Sequence, residues 1–169
     1  PLASAEGYRA VAFDRPEDVP PFAPLGGPLK VTVTGSAHNK DGWLRKNDPE
    51  TLDVLRHLEA KVAARAHEMA LVDADLEPGA DTLILSFGVT SRAAKEAVLR
   101  ARSAGKRVSF LGVLTLFPIP VQAIRAAAAG VRRVVVAEEN APGLYRRALA
   151  GVVPELPLTG VNQIGGKIR

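Results

Sequence analysis

The sequence predicts an α/β fold, a three-layer open sheet that is mostly parallel and Rossmann-like. Two short, dense apolar runs, Thr82–Phe87 and Val108–Val113, are typical of strands that are buried on both faces. Residues 92–104 lie between them and place alanines on one helical face and most of their basic side chains on the other. Gly105 then supplies the glycine that commonly ends a helix. Because two parallel strands need such a helical crossover, this β-α-β unit predicts the fold class.

The elements that follow extend the same sheet. Two prolines after the second strand start an Ala-rich helix near Val121, which closes at Gly130. Residues 131–136 are dense in valine and predict a third parallel strand. A short helix that reaches about Ala150 and a final strand at residues 156–161 complete the predicted domain.

The region before this sheet has a different composition. Residues 1–28 are rich in Pro and Gly and predict an extended linker from a preceding domain, whereas residues 29–169 predict the α/β domain, with a β-prone run at 29–34. The stretch Asp48-Pro49-Glu50 combines a capping Asp, a Pro at the first helical position and an acid in the first turn. We expect that helix to run to about Leu71. Since the chain begins with Pro-Leu, we also expect it to be one piece of a longer polypeptide.

The totals exclude several classes of function. The 169 residues are 47% apolar and 24% charged, which is ordinary for a globular domain, and the net charge of +4 is scattered rather than gathered into a nucleic-acid-binding stripe. There are no cysteines, so this chain cannot form disulfides, use a thiolate or ligate an iron-sulfur cluster through Cys. Its apolar runs are too short to span a membrane and no signal peptide is visible, so we expect a cytoplasmic location.

The most informative candidate site follows the first core strand. Ligands of open parallel sheets gather at the carboxyl ends of the strands, and a helix N-terminus there can hold an anion. Gly88, Thr90 and Ser91 could therefore bind a phosphate or a carboxylate. The alternative is that the hydroxyl of Thr90 or Ser91 only caps the helix. The turn matches neither dinucleotide-binding nor Walker glycine patterns.

Two other polar groups are candidates. Glu138, Glu139 and Asn140 form a polar cluster at the end of the third strand, where one carboxylate could contact a partner subunit or a backbone amide. Adjacent residues point apart, so the two glutamates do not form a pair across one substrate. The loop 35–43 contains His38 and Trp43, and it is either a binding loop or a turn that the Trp anchors to the body. Without a third convergent ligand, His38 gives little support for a metal site. His57 and His67 are interpreted as surface or boundary residues.

Five stretches in a constant order resemble a known family. They are TGSAHNKDG at residues 34–42, NDPE at 47–50, LSFGVTSRAA at 85–94, LTLFPIP at 114–120 and VVVAEEN at 134–140 followed by Gly143. The chain resembles the transketolase-C-terminal-like domain of the α subunit of 2-oxoacid:ferredoxin oxidoreductases, including the 2-oxoglutarate and branched-chain members. The resemblance covers roughly residues 29–150 and implies a transketolase C-terminal-domain-like fold.

The resemblance also implies a function for the complete enzyme. Such an enzyme decarboxylates a 2-oxoacid on thiamine diphosphate with magnesium, passes electrons through iron-sulfur clusters to ferredoxin or flavodoxin, and transfers the acyl group to coenzyme A. The cofactor ligands lie in other domains or subunits, so no catalytic residue, cofactor or metal is assigned here. The implied role of this domain is assembly, with Gly88–Ser91 and Glu138–Asn140 as the candidate subunit contacts. Replacing Glu138 and Asn140 with Ala is then expected to weaken subunit association.

Two alternatives stay open at this point. One is a free-standing nucleotide- or phosphate-binding module that uses Gly88, Thr90 and Ser91 as its anion site. The other is the matching domain of another thiamine enzyme, such as a transketolase or a dehydrogenase β subunit.

Overall fold

The computed structural model describes residues 6–32 and 35–163. The chain divides into two compact units, Pro1–Arg65 and Ala66–Arg169. The predicted β-prone run at residues 29–34 is only partly covered, because residues 33 and 34 lie outside the described residues, and residues 29–32 are not in a strand. Among the described residues, no helix combines the length and the apolar character needed to cross a membrane.

The first unit contains the helix α1, Pro49–Ala64. Asp48 caps it as predicted, since its carboxylate accepts hydrogen bonds from the backbone amide and the hydroxyl of Thr51. The prediction that this helix continues to Leu71 is wrong. Residues 65–69 form turns, and the carbonyl of Leu71 accepts hydrogen bonds from the amides of Leu114 and Thr115. Tertiary pairing therefore overrides the helical spacing in this segment.

The second unit is a five-stranded sheet with helices on both faces. Its elements, in chain order, are β1 (Val72–Asp75), β2 (Thr82–Phe87), α2 (Thr90–Ser103), β3 (Val108–Val113), α3 (Val121–Ala128), β4 (Arg133–Glu138), α4 (Leu144–Leu149) and β5 (Leu158–Asn162). The strand order across the sheet is β1-β3-β2-β4-β5. β2 pairs in parallel with both β3 and β4, β5 adds in parallel to β4, and β1 is antiparallel to β3.

Two apolar clusters separate the layers. One face of the sheet packs against α3 and α4 through side chains such as Leu85, Val136 and Ile124. The other face packs against α2, where Ala94 and Val98 meet Phe110. The three-layer, mostly parallel α/β fold is therefore confirmed. The third core strand begins at Arg133 rather than at residue 131, and the antiparallel edge strand β1 was not predicted.

Candidate functional site at the carboxyl edge of the sheet

The carboxyl ends of the parallel strands lie along one edge of the sheet, which we call the carboxyl edge. It comprises residues 88–91 after β2, residues 114–120 after β3 and residues 139–143 after β4. These are the segments in which the sequence predicted a site. Open parallel sheets commonly bind their ligands at this edge.

The start of α2 differs from the predicted cap. Gly88 has a φ of 58°, a left-handed conformation that favours glycine, and the chain enters the helix through Val89. Thr90 is already the first helical residue and is buried, and within the described residues no side chain caps α2. The prediction that Thr90 or Ser91 caps the helix is therefore wrong. The Ser91 hydroxyl oxygen is buried and has no hydrogen-bond partner within the described parts of the chain.

Two backbone amides at the start of α2 already donate hydrogen bonds within the chain. The amide of Ser91 donates to the carbonyl of Gly88, and the amide of Arg92 donates to the carbonyl of Val89, both at 3.2 Å. A cavity of about 250 Å³ at this helix start is lined by the apolar side chains of Phe87, Val113, Leu114 and Leu116, and also by Gly88, Ser91, Gly112 and Asp73. The Asp73 carboxylate is paired with the Lys95 ammonium at 2.6 Å, so this ammonium is not a free cation for an anion there. The apolar lining therefore favours an apolar contact over a phosphate at Gly88, Thr90 and Ser91.

Exposed apolar side chains crowd the same edge. Phe117 is 82% exposed and Leu114 is 66% exposed, and Val89 and Leu116 are also exposed. We call these four residues the apolar rim. Their exposure was not predicted, because a leucine or phenylalanine after a buried strand has the same appearance in the sequence whether it lies in the core or on the surface. Several large exposed apolar side chains at one edge are typical of a protein–protein contact.

Glu138 and Asn140 are occupied within the domain. Glu138 is only 1% exposed. Its carboxylate accepts hydrogen bonds from the Asn140 side-chain amide and from the backbone amides of Tyr145 and Arg146. The Asn140 side-chain oxygen accepts from the amide of Leu144 at 2.9 Å. Of the two expectations for this cluster, the contact with a backbone amide is the one that the structure contains. Both side chains fasten α4 to the end of β4.

His38 belongs to the other unit. It forms an isolated antiparallel bridge with Leu44 across a tight turn, and its half-buried ring has an Nδ1 without a hydrogen-bond partner in the described residues. The nearby Asp41 is paired with Arg9. Within residues 6–32 and 35–163, no three His, Cys, Asp or Glu side chains are grouped as a metal site requires. Trp43, at the end of this turn, is 49% exposed beneath the ammonium of Lys30, so it is not a buried anchor.

The prediction that His57 is a surface or boundary residue is wrong. His57 is buried, and its ring stacks on Phe13 at a centroid distance of 3.7 Å. The stacking partner is far away in the sequence, so the periodicity of α1 did not reveal it. His67, in contrast, is exposed as predicted.

Fold and site together define a class, an α/β domain with exposed apolar side chains at its carboxyl edge. Residues 80–168 match the family described as pyruvate:ferredoxin oxidoreductase core domain II, and the chain belongs to this family. The family expected from the sequence is thereby confirmed.

Several known proteins are similar to the chain. The 2-oxoglutarate synthase subunit KorA of Methanothermobacter thermautotrophicus is 30% identical over 93% of this chain and 42% of its own length. The alpha subunit of 2-oxoacid:ferredoxin oxidoreductase 2 of Aeropyrum pernix is 28% identical over 86% of this chain and 24% of its own length. The chain therefore spans less than half of these relatives.

A solved structure shares the fold. It is described as the 2-oxoglutarate:ferredoxin oxidoreductase from Magnetococcus marinus with 2-oxoglutarate, coenzyme A and succinyl-CoA bound. The match has a TM-score of 0.76 at 22% identity and covers 98% of this chain and 29% of that chain. At this identity the similarity establishes the fold.

Proposed function

We propose that this chain is the non-catalytic assembly domain of the α subunit of a 2-oxoacid:ferredoxin, or flavodoxin, oxidoreductase. The complete enzyme would use thiamine diphosphate to decarboxylate a 2-oxoacid oxidatively and would release an acyl-CoA. The membership in the oxidoreductase core domain II family supports the proposal. So do the relatives, one of which is named a 2-oxoglutarate synthase subunit and another the alpha subunit of a 2-oxoacid:ferredoxin oxidoreductase. A cytoplasmic location stays a prediction.

The donor set of this chain does not suit the cofactors of such an enzyme. The chain has no cysteine to ligate an iron-sulfur cluster. Its described residues contain no cluster of carboxylates or imidazoles that would hold the magnesium of a bound diphosphate. We therefore assign thiamine diphosphate, magnesium and the iron-sulfur clusters to other parts of the complete enzyme.

The apolar rim is the observation that carries the assembly role. At the carboxyl edge, large apolar surface is exposed by Val89, Leu114, Leu116 and Phe117, and such surface marks protein–protein contacts. Covering such side chains removes apolar area from water, and this drives most protein–protein association. We assign the covering surface to other domains or subunits of the oxidoreductase.

The experiment is done on the complex purified through the subunit that carries this chain. Reduction of a viologen dye is followed across a panel of 2-oxoacids, with and without coenzyme A. Reduction that requires both one 2-oxoacid and coenzyme A is the expected result, and it would identify the substrate. A complex that contains thiamine diphosphate and intact clusters but oxidises none of the acids would overturn the proposed activity. Tight binding of a nucleotide would then favour a phosphate-binding module.

A further inference from the structure

The two edges of the sheet differ in charge. The edge strand β1 carries two carboxylates, and each is held by a basic residue of α2. The Lys95 ammonium lies 2.6 Å from Asp73, and the Arg102 guanidinium donates to both oxygens of Asp75 at 2.9 and 3.0 Å. Charged side chains on an edge strand discourage pairing with a further strand. The β1 edge is therefore protected.

The opposite edge strand, β5, lacks such protection. Its sequence, Leu-Thr-Gly-Val-Asn, contains no charged residue and no proline, and Thr159, Gly160 and Val161 are exposed. The carbonyl of Pro157 accepts a hydrogen bond from the amide of Val134, so residue 157 faces β4. Since strand residues alternate in direction, the backbone groups of Leu158, Gly160 and Asn162 face away from the sheet. Within residues 6–32 and 35–163, no further strand pairs with this side of β5, so its backbone donors and acceptors are open there.

Arg146 of α4 lies across the middle of β5. A Cβ atom added at Gly160 would lie 2.7 Å from Arg146 Nε, and one added at Gly143 would lie 3.2 Å from the same atom. Two glycines on different segments therefore leave the space that this side chain occupies. The Arg146 side chain is therefore packed against β5.

This arginine has no acidic partner within the described residues. It forms no ion pair there, and its Nε is buried without a hydrogen-bond acceptor. The neighbouring carboxylate of Glu138 is already used by Asn140 and by the backbone amides of Tyr145 and Arg146. A guanidinium that is half-buried and unpaired is complementary to a carboxylate supplied from outside.

We propose that the β5 edge accepts an extended segment of another polypeptide as a sixth strand, and that an Asp or Glu of this segment pairs with Arg146. Main-chain hydrogen bonds to Gly160 and its neighbours would supply affinity, as in other cases of strand addition. The carboxylate would fix the register. The inference deepens the assembly role and rests on it, because the segment would belong to another subunit of the complex.

A second copy of this chain fits the edge less well. Antiparallel pairing of two β5 strands about Gly160 would place the two glycines opposite each other, with their Cα atoms about 5 Å apart. The two Arg146 side chains lie over these glycines and would then be neighbours. Like charges in directly opposed positions destabilise a strand pair. The charge of the edge therefore favours an acidic partner.

Hydrogen exchange of the β5 amides tests the inference. The subunit that carries this chain is measured alone and in its purified complex, with the core amides of β2 and β3 as an internal check on folding. We expect the amide of Gly160 to exchange at least about tenfold more slowly in the complex. Arg146→Gln should remove this protection and weaken association about tenfold or more. Arg147→Gln removes the same charge from the exposed neighbouring residue and should change neither.

Three results would overturn the proposal. The first is an intact complex in which Gly160 exchanges as fast as in the free subunit, even if that complex oxidises a 2-oxoacid. The second is protection that survives Arg146→Gln while the core amides stay protected. The third is protection in the subunit alone that increases with its concentration, which would indicate a second copy at this edge. Failure of the viologen assay concerns the proposed activity and leaves these measurements independent.

Discussion

The carboxylate of Glu138, the last residue of β4, accepts a hydrogen bond of 2.9 Å from the backbone amide of Tyr145 in the first turn of α4. The amide of Arg146 donates to the other carboxylate oxygen at 3.1 Å. The first amides of a helix have no partner inside the helix, and here a buried glutamate supplies one. Glu138 thus joins a strand to the helix that follows it.

Replacing Glu138 with Ala should therefore loosen α4. The change leaves two backbone amides without an acceptor and opens a cavity where the side chain was. We therefore expect a loss of about 3 kcal/mol in the free energy of unfolding. Denaturant unfolding measures it. Glu139→Ala, at the neighbouring half-buried position, should change the stability by no more than about 0.5 kcal/mol. Equal stability of the two variants would contradict this role. Because the fold itself is affected, Glu138→Ala is a poor probe of subunit association.

Replacing Tyr145 with Phe should not lower the stability of the domain. Its ring packs edge-on against Phe87 at 5.2 Å, but its hydroxyl is buried without a hydrogen-bond partner in the described residues. Tyr145→Phe keeps the ring contact and removes the unpaired hydroxyl, so we expect it to be neutral or to stabilise by about 1 kcal/mol. Thermal unfolding measures this effect. A clear loss of stability would reveal a partner for the hydroxyl.

The ionisation of Tyr145 gives an independent measurement. Burial raises the pKa of Tyr145 from 10.0 to about 12. Because the folded pKa lies above the unfolded one, the associated stability is present below pH 10.0 and is lost as the pH rises towards about 12. The chain has two tyrosines, so a Tyr8→Phe variant allows the tyrosinate absorbance of Tyr145 to be titrated alone. A measured pKa near 10.0 would show that the Tyr145 hydroxyl is exposed to water.

Gly160→Ala should displace two side chains. A Cβ at this position would meet the outer parts of the Arg146 and Asn162 side chains below normal contact distance. Because these side chains are flexible and can move aside, we expect a loss of about 1 kcal/mol, the low end for overpacked sites. Gly151→Ala is the matched control, since a Cβ there has open space around it. If both substitutions leave the unfolding midpoint unchanged, Arg146 is not held across β5 as described.

The sequence was sufficient for the central β-α-β unit because its signals are local. The apolar runs of β2 and β3 and the glycine after α2 depend only on neighbouring residues, and both strand ranges were predicted to the residue. β1 was missed because Val72-Asp73-Ala74-Asp75 becomes a strand only through pairing with β3 and with the basic residues Lys95 and Arg102. These partners are distant in the sequence, so no local pattern indicates them.

The sequence predicted where the candidate site lies on the sheet better than it predicted which contacts its residues make. The carboxyl edge follows from the parallel order of the strands, and a backbone-amide contact was one of the expected roles of the Glu138 cluster. The burial of Thr90 and the exposure of Phe117 could not be predicted, because both depend on how α2 and residues 114–120 pack. The hydroxyls after Gly88 therefore suggested a cap that the helix does not use.

The start of α1 should respond to acid. Hydrogen bonds from the Thr51 hydroxyl, and next from its backbone amide, lower the pKa of Asp48 below its ordinary value of 3.8. Because the folded pKa lies below the unfolded one, the cap contributes fully above pH 3.8 and is lost as the pH falls through the lowered pKa. Asp48→Ala should thus reduce stability at neutral pH, and its difference from the unmodified chain should shrink in acid. Asp53→Ala, on the exposed side of the same helix, serves as the control.

The apolar rim predicts a selective loss of association. Phe117 is 82% exposed and Leu99, on the outer side of α2, is 53% exposed, so neither contributes much to the core of the domain. If the rim is the subunit contact, Phe117→Gln should weaken association by about 2 kcal/mol or more, which is roughly thirtyfold, as for a central aromatic residue of an interface. Leu99→Gln should have no such effect. Size exclusion and a binding titration of the subunits measure both variants, with the unfolding midpoint as a check that each is folded. Both changes replace an exposed apolar side chain by the same polar one. If the two variants associate equally well, the subunit contact does not include the rim.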